Sequence, residues 1–258
     1  MSYNNLLFEI KDDVLTILIN RPKQLNSINL ETLLELDSLI KDSMLNDEIR
    51  LIVLSGSGDK SFVAGADIKE LANLNSSQAY KLTKDIHKIL NKTIEQSTKP
   101  IIAAINGYAL GGGLELAMAC HIRIASDNAK FGMPEVSLGL IPGYGGTQRL
   151  THLVGKGRAF EIMMTGRKID SKEALDIGLI NYVVKQQELR NFVNEFCMTI
   201  LANSSNSFKH LIKCVNSYFN ENQDGFKTEL NEFSKCFESD DFKEGIDAFL
   251  NKRKPNFK

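Results

Sequence analysis

One glutamate in this chain sits in surroundings that an ordinary surface carboxylate would not have, and a second is a plausible partner for it. Glu115 falls in NGYALGGGLELAMAC (residues 106–120), flanked by Leu114, Leu116, Ala117, Met118 and Ala119. A helix made from this segment is apolar nearly all round and is therefore expected to be buried. An ionised carboxylate there is costly without a partner, and burial pushes its pKa up toward neutrality. In that range a Glu works as a general acid or base. Glu135 is the second candidate, following Pro134 in FGMPEVSLGLIPG. Addition and elimination across a double bond need two proton-handling groups with separable roles, which a pair of carboxylates supplies. Taken singly, each has a plainer reading: Glu115 could hydrogen-bond backbone, and Pro-Glu is common at helix starts.

Glycine turns accompany these acids. FVAGADIKE and YALGGGLEL each place glycine before a predicted helix, where backbone N–H groups are left without intrahelical acceptors. Two such groups converging on one point form an oxyanion hole, and losing one donor typically costs roughly 2.7–4 kcal/mol of transition-state stabilisation. Glycine permits the close approach of a ligand. The glycines alone would equally suit two tight turns that pack helices on strands.

Other chemistries find little support. GGGLEL and GYGGTQR lack dinucleotide-binding spacing, LVGKGR lacks the upstream glycine of a P-loop, and there is no G-x-S-x-G. His87, His121, His152 and His210 form no H-x-x-x-H pattern. Cys120, Cys197, Cys214 and Cys236 lie far apart, as expected of reduced thiols in a cytoplasmic chain. A net charge of −1 gives no footprint for nucleic acid. The start, MSYNNLLFEIKDD, lacks a signal-peptide pattern. IIAAINGYALGGGLELAMAC is long enough to cross a membrane, but Asn106, Glu115 and three glycines interrupt it, so strand, turn and buried helix is the expectation.

These residues must be positioned by regular elements. VLTILIN, RLIVLSG, IIAAING and HIRIAS read as strands, and NYVVK as a brief one. NLETLLELDSLIKDSML reads as a helix capped by Asn29, SSQAYKLTKDIHKILNKTIEQS as a long helix stopped by Pro100, and SKEALDIGLI as a capped helix ending at Gly178. Strands alternating with helices predict an α/β core, followed from residue 186 to 249 by helices. RLIVLSGSGDKSFVAGADI and KPIIAAINGYALGGGLELA faintly echo one another, each running strand, glycine turn, helix.

With these motifs in hand, the sequence closely resembles the crotonase, or enoyl-CoA hydratase, superfamily. The matching blocks are INRPKQLNSIN, SFVAGADIKEL, INGYALGGGLELAMAC, FGMPEVSLGLIPGYGGTQRL and GIDAFLNKRKPNF, in family order over nearly the whole chain. The resemblance implies a crotonase-like α/β fold of repeated β-β-α units with an acyl-CoA site over residues 1–195. It also implies a C-terminal helical region, 196–258, that assembles homotrimers or dimers of trimers.

The resemblance also assigns roles. The N–H groups of Ala66 and Gly112 would form the oxyanion hole, Glu115 would activate water for attack at C3, and Glu135 would deliver a proton at C2. Gly143 would lie beside that water. Ala64, Asp67, Ile68, Lys69, Leu110, Gly111 and Pro134, with Ala66 and Gly112, would line the CoA and thioester path. Lys23, Gln24 and Leu25 would meet the nucleotide end, and Phe249 and Lys252 would reach a CoA in a neighbouring subunit.

The implied activity is reversible syn hydration of a trans-2-enoyl-CoA to a 3-hydroxyacyl-CoA, as in short-chain enoyl-CoA hydratases or 3-hydroxybutyryl-CoA dehydratases of fatty-acid metabolism. No cofactor is expected, since coenzyme A is part of the substrate. Rival readings are enoyl-CoA isomerisation, which usually manages with one carboxylate, a non-catalytic RNA-associating relative, and a silent scaffold. Only residues 252–258 are basic enough for the RNA reading. Three positions depart from the pattern: His121 for Asp, Met133 for Gln, and Tyr144 for Ala. The bulk of Tyr144 predicts a narrow acyl pocket suited to short chains such as crotonyl.

Overall fold

The computed structural model describes residues 3–219 and 222–257. The chain opens with a hairpin, β1 (Leu6–Lys11) and β2 (Val14–Ile19), turned by Asp12 and Asp13, which both adopt positive φ. Such two-residue turns match the twist of the paired strands, and Asp tolerates the left-handed region. Helix α1 (Leu30–Met44) follows, with Asn29 accepting from the Thr32 N–H as its N-cap.

Three similar passes then build the site. β3 (Leu51–Gly56) leads to β4 (Ser61–Val63), the short α2 (Ile68–Leu71) and α3 (Ser76–Lys88). Next, β5 (Ile101–Ile105) leads to β6 (Tyr108–Leu110) and α4 (Gly112–Ala119). Finally β7 (Ile122–Ser126) leads to β8 (Lys130–Gly132) and a 3-10 turn, Pro134–Leu138. The remainder runs α5 (Gly146–Val154), α6 (Lys156–Thr165), β9 (Lys168–Asp170), α7 (Ser171–Asp176), β10 (Tyr182–Val184), α8 (Leu189–Leu201), α9 (Ser205–Ser217), α10 (Gly225–Cys236) and α11 (Asp240–Leu250).

The first strand of each pass enters a six-stranded sheet ordered β1-β2-β3-β5-β7-β10, parallel except for the opening hairpin. The second strand of each enters a small sheet, β4-β6-β8-β9, in which only β9 is antiparallel. The faint echo in the sequence is thus a repeated β-β-α step, and each step delivers its turn to the same end of the fold. β5 is buried along its whole length, as parallel strands covered on both faces are. One face packs on the main core, and the other is covered by Leu189, Val193, Cys197 and Leu201 of α8.

The segment with a membrane-like length is β5, β6 and the eight-residue α4, and no helix among the described residues is long and apolar enough to cross a membrane. The long helix predicted before Pro100 is α3 continued by a π-helical stretch, Ile89–Glu95. Helix α8 spans the boundary drawn at 195/196. Beyond it, α9 and α10 are joined by a buried Glu232 that binds His210, Lys213 and Lys235.

Candidate active site

Glu115 lies in the first turn of α4 and is 1% exposed. Its Oε1 accepts from the N–H groups of Tyr144 and Gly146, both at 2.7 Å. Burial pushes its pKa up to about 7, reinforced by the negative charge of Glu135 and opposed by the two amides and by Arg149. The plainer reading, a Glu bonded to backbone, is therefore present in the same residue as the raised pKa. Those bonds orient the carboxylate without neutralising it.

Glu135 opens the 3-10 turn after Pro134 and is half-buried. Burial raises its pKa too, and its Oε2 is buried without a hydrogen-bond partner among the described residues. Gly111 lies against it: a Cβ at that position would stand 2.6 Å from Glu135 Oε1. With φ 47° and ψ −123°, Gly111 also occupies a conformation that side chains rarely adopt.

The two proposed amides meet at the same place. Gly112 is the first residue of α4, and a Cβ built on it would lie 3.5 Å from the Ala66 nitrogen. Neither N–H donates to an acceptor among the described residues. Gly112 owes this to its helix start, as expected. Ala66 does not: it precedes Asp67, the N-cap of α2, and its N–H is freed by the turn after Gly65 (φ 108°). Bonds from Ile28 N–H to Gly65 O and from Asp67 N–H to Ile28 O hold that turn. Ala64 N–H donates to Leu25 O, which ties the Lys23, Gln24 and Leu25 loop to the same wall.

Thus Ala66, Gly111, Gly112, Glu115, Pro134 and Glu135 come together. Leu110 leads directly into Gly111, and its carbonyl lies 3.8 Å from a Cβ built on Gly65. Gly143 begins the turn that holds Glu115, and its carbonyl accepts from His87 Nε2–H at 2.7 Å. Asp67 is an ion-pair partner of Arg21 (2.9 Å) besides being a cap. Ile68 is exposed beside Lys69, and Val136, Leu138, Leu140 and Ile141 present further exposed apolar surface next to Glu135. Phe249 and Lys252, at the end of α11, are exposed, and within one chain no described hydrogen bond or ion pair links them to the acids.

The sequence profile of the enoyl-CoA hydratase/isomerase family matches residues 9–258. The chain belongs to that family. It is 43% identical to the short-chain-enoyl-CoA hydratase of Clostridium acetobutylicum, over 98% of this chain and 97% of that one. It is 44% identical to the crotonyl-CoA hydratase of Syntrophomonas wolfei, over 100% and 99% of the two chains. Its fold is similar to a solved enoyl-CoA hydratase from Bacillus anthracis, with TM-score 0.92, 36% identity and 99% coverage of both chains.

Several working parts of this hydratase/isomerase-family site escape sequence reasoning. The Tyr144 and Gly146 amides, and Arg149 behind them, gave no motif of their own, although a charged residue on the inner face of GTQRL was a signal. The family departure at His121 also has a structural answer. His121 Nδ1 accepts from Ile101 N–H at 2.8 Å and its Nε2–H donates to Glu95 O at 3.2 Å, while burial pushes its pKa down to about 4. Neutral His121 is a bracket between β5 and the π-helical stretch. Cavities of about 770 and 460 Å³ lie against α8 and against α9, and neither is lined by the acids or the two amides.

Proposed function

We propose that this protein catalyses the reversible syn hydration of trans-2-enoyl-CoA to 3-hydroxyacyl-CoA, with short acyl chains preferred. The observation that carries the reading is the convergence of the buried Glu115 and the half-buried Glu135, whose charges repel, on a turn whose Ala66 and Gly112 amides have no acceptor among the described residues. The names of the Clostridium and Syntrophomonas relatives support it.

In the hydration direction the thioester oxygen sits between the two amides. Glu115, as carboxylate, takes a proton from water while the water oxygen bonds C3. Electron density moves through C2 onto the thioester oxygen, where the amides stabilise the enolate. Protonated Glu135 then gives its proton to C2. Dehydration reverses each step. Hydration leaves the oxidation state of the pair of carbons unchanged overall, so the reading calls for no redox cofactor; the two carboxylates move the protons, the two amides stabilise the oxyanion, and coenzyme A enters only as part of the substrate.

Residues 23–25, Ala64 and 66–69 form the wall on which we place the CoA. The Tyr144 ring lies 3.1 Å from a Cβ built on Gly112, so a bulky group closes the thioester end and favours short chains. We further propose that residues 1–195 carry this site while 196–258 drive self-association as a trimer or dimer of trimers. Phe226, Leu230, Phe233 and Phe237 support that division, because they form one exposed apolar stripe along α10. Phe249 and Lys252 would then meet a neighbour's CoA. Four free cysteines suit a cytoplasmic setting. Absorbance of the crotonyl-CoA enone reports hydration directly, whereas an isomerase would leave that substrate unchanged.

A further inference from the structure

We infer that Arg149 is a positioning residue for the water-activating carboxylate: its guanidinium fixes the 143–146 turn whose amides grip Glu115. This rests on the hydration reading, in which Glu115 touches the water and Arg149 does not. The backbone of Tyr144 is the link. Its N–H donates to Glu115 and its carbonyl accepts from Arg149 Nη1 at 3.0 Å. Gly145, between the two amides that hold Glu115, has φ 101°, and any Cβ there would collide with the guanidinium. The turn is therefore wrapped on the arginine, not merely near it.

The far side of the guanidinium is anchored as firmly. Glu95 accepts from Nε at 3.3 Å and Nη2 at 2.8 Å, and Asn91 accepts from Nη2 as well. Both residues belong to the π-helical stretch, a local widening of the helix that is uncommon and often found at functional sites. Glu95 is held in turn through its carbonyl, by His121 Nε2–H and by Asn216 Nδ2 at 2.5 Å. A continuous hydrogen-bonded path thus runs from β5 and α9 through Glu95 and Arg149 to Tyr144 and Glu115.

Arg149 is 7% exposed, so its charge acts through little water. The charged and titratable groups facing Glu115 are Glu135, Tyr144 and Arg149, and those facing Arg149 on its other sides are Glu95 and Cys120, with His121 and Arg123 behind them. Of these, Arg149 holds Glu115 toward its ionised form, against burial and Glu135.

The test measures kcat and KM for crotonyl-CoA over roughly pH 5 to 9 with the full-length wild type, Arg149→Met, Arg149→Lys and Glu95→Gln, alongside their melting temperatures. Arg149→Met is expected to lower kcat about 100-fold with little change in KM, as misplaced groups do, and to move the acid limb of kcat/KM to higher pH. Arg149→Lys should restore the limb through its charge but only part of kcat, since it cannot reproduce the fork. Glu95→Gln should move the limb the other way, to lower pH, because it removes the negative partner of the guanidinium. Melting temperatures that fall while kcat and the limb stay put in all three variants would overturn the positioning role and leave only packing. If Arg149→Met does not fold, the other two variants decide: a lowered kcat at an unmoved limb in Arg149→Lys and a limb at lower pH in Glu95→Gln support the role, and neither change overturns it. Wild type that cannot hydrate crotonyl-CoA would instead sink the hydration reading, and the Arg149 role with it.

Discussion

Gly111 and Glu135 are in such close approach that a single methyl group on the glycine would lie 2.6 Å from the glutamate's Oε1. The side chain of one β-β-α pass thus rests on the backbone of the pass before it. Gly111→Ala meets both that oxygen and an unfavourable φ of 47°. We expect about 1–3 kcal/mol of lost stability from the backbone conformation, and a kcat lowered about 100-fold by the displaced acid. Thermal melts and crotonyl-CoA turnover measure the two separately; full activity in Gly111→Ala would show that this contact does not set the position of Glu135.

Glu115 should link activity and stability with opposite signs. As a base it must be ionised, so kcat/KM is expected to fall below pH about 7, the value to which burial pushes its pKa. For stability, the folded-state pKa lies above the ordinary value of 4.5, so the folded chain holds this proton more tightly than the unfolded one. The resulting contribution, about 3 kcal/mol, is complete below pH about 4.5 and is lost as pH rises through 7. Glu115→Gln keeps an oxygen for the Tyr144 and Gly146 amides but carries no charge. It should melt above wild type at pH 8 and match it near pH 5, while losing roughly 100-fold or more in kcat. Equal melting curves at both pH values would contradict the cost of charge at this site.

Much of this arrangement was legible in the chain, and the remainder was hidden for physical reasons. The strands Ile101–Ile105 and Ile122–Ser126 and the Asn29 cap could be read because burial on both faces and side-chain capping leave local signatures. Glu115 stood out because its neighbours are apolar. The three-residue strands β4, β6, β8 and β9 could not be read, since three residues carry no period, and their pairing is set by the larger sheet beside them. The charge of Arg149 within GTQRL is visible in the sequence, but its role is not: Glu95 and Asn91, its partners, lie more than fifty positions away. The Ala66 donor was expected at a helix start, yet an Asx-capped turn frees it instead.

Arg21 and Asp67 form a part-buried pair, and Arg21 also donates to Ser27 O. Since Asp67 follows Ala66 directly, Arg21→Met and Asp67→Ala should each lower kcat/KM about tenfold, with the double variant no worse than either, as expected for residues acting as a unit. Independent, additive losses would mean that the pair does not hold the turn.

Tyr144 is expected to set chain length. Tyr144→Ala removes the ring beside Gly112, so kcat/KM for octenoyl-CoA relative to crotonyl-CoA should rise, at a stability cost of about 3–5 kcal/mol for truncating a buried aromatic. An unchanged ratio would place the chain-length limit elsewhere.

The apolar stripe on α10 should be covered by self-association. Light scattering is expected to give three or six times 28.8 kDa for wild type and a smaller species for Phe233→Asp. A wild-type mass equal to one chain would leave the stripe uncovered and remove the assembly proposal.

Crotonyl-CoA incubated in deuterated water with wild type, Glu115→Gln and Glu135→Gln gives the most direct reading of the site, with the product followed by loss of enone absorbance and by mass. Wild type should form 3-hydroxybutyryl-CoA carrying one deuterium at C2, and both variants should form it at least 100-fold more slowly. Unaltered crotonyl-CoA with wild type, or variants that keep pace with it, would mean that these two acids do not carry water and proton across the double bond.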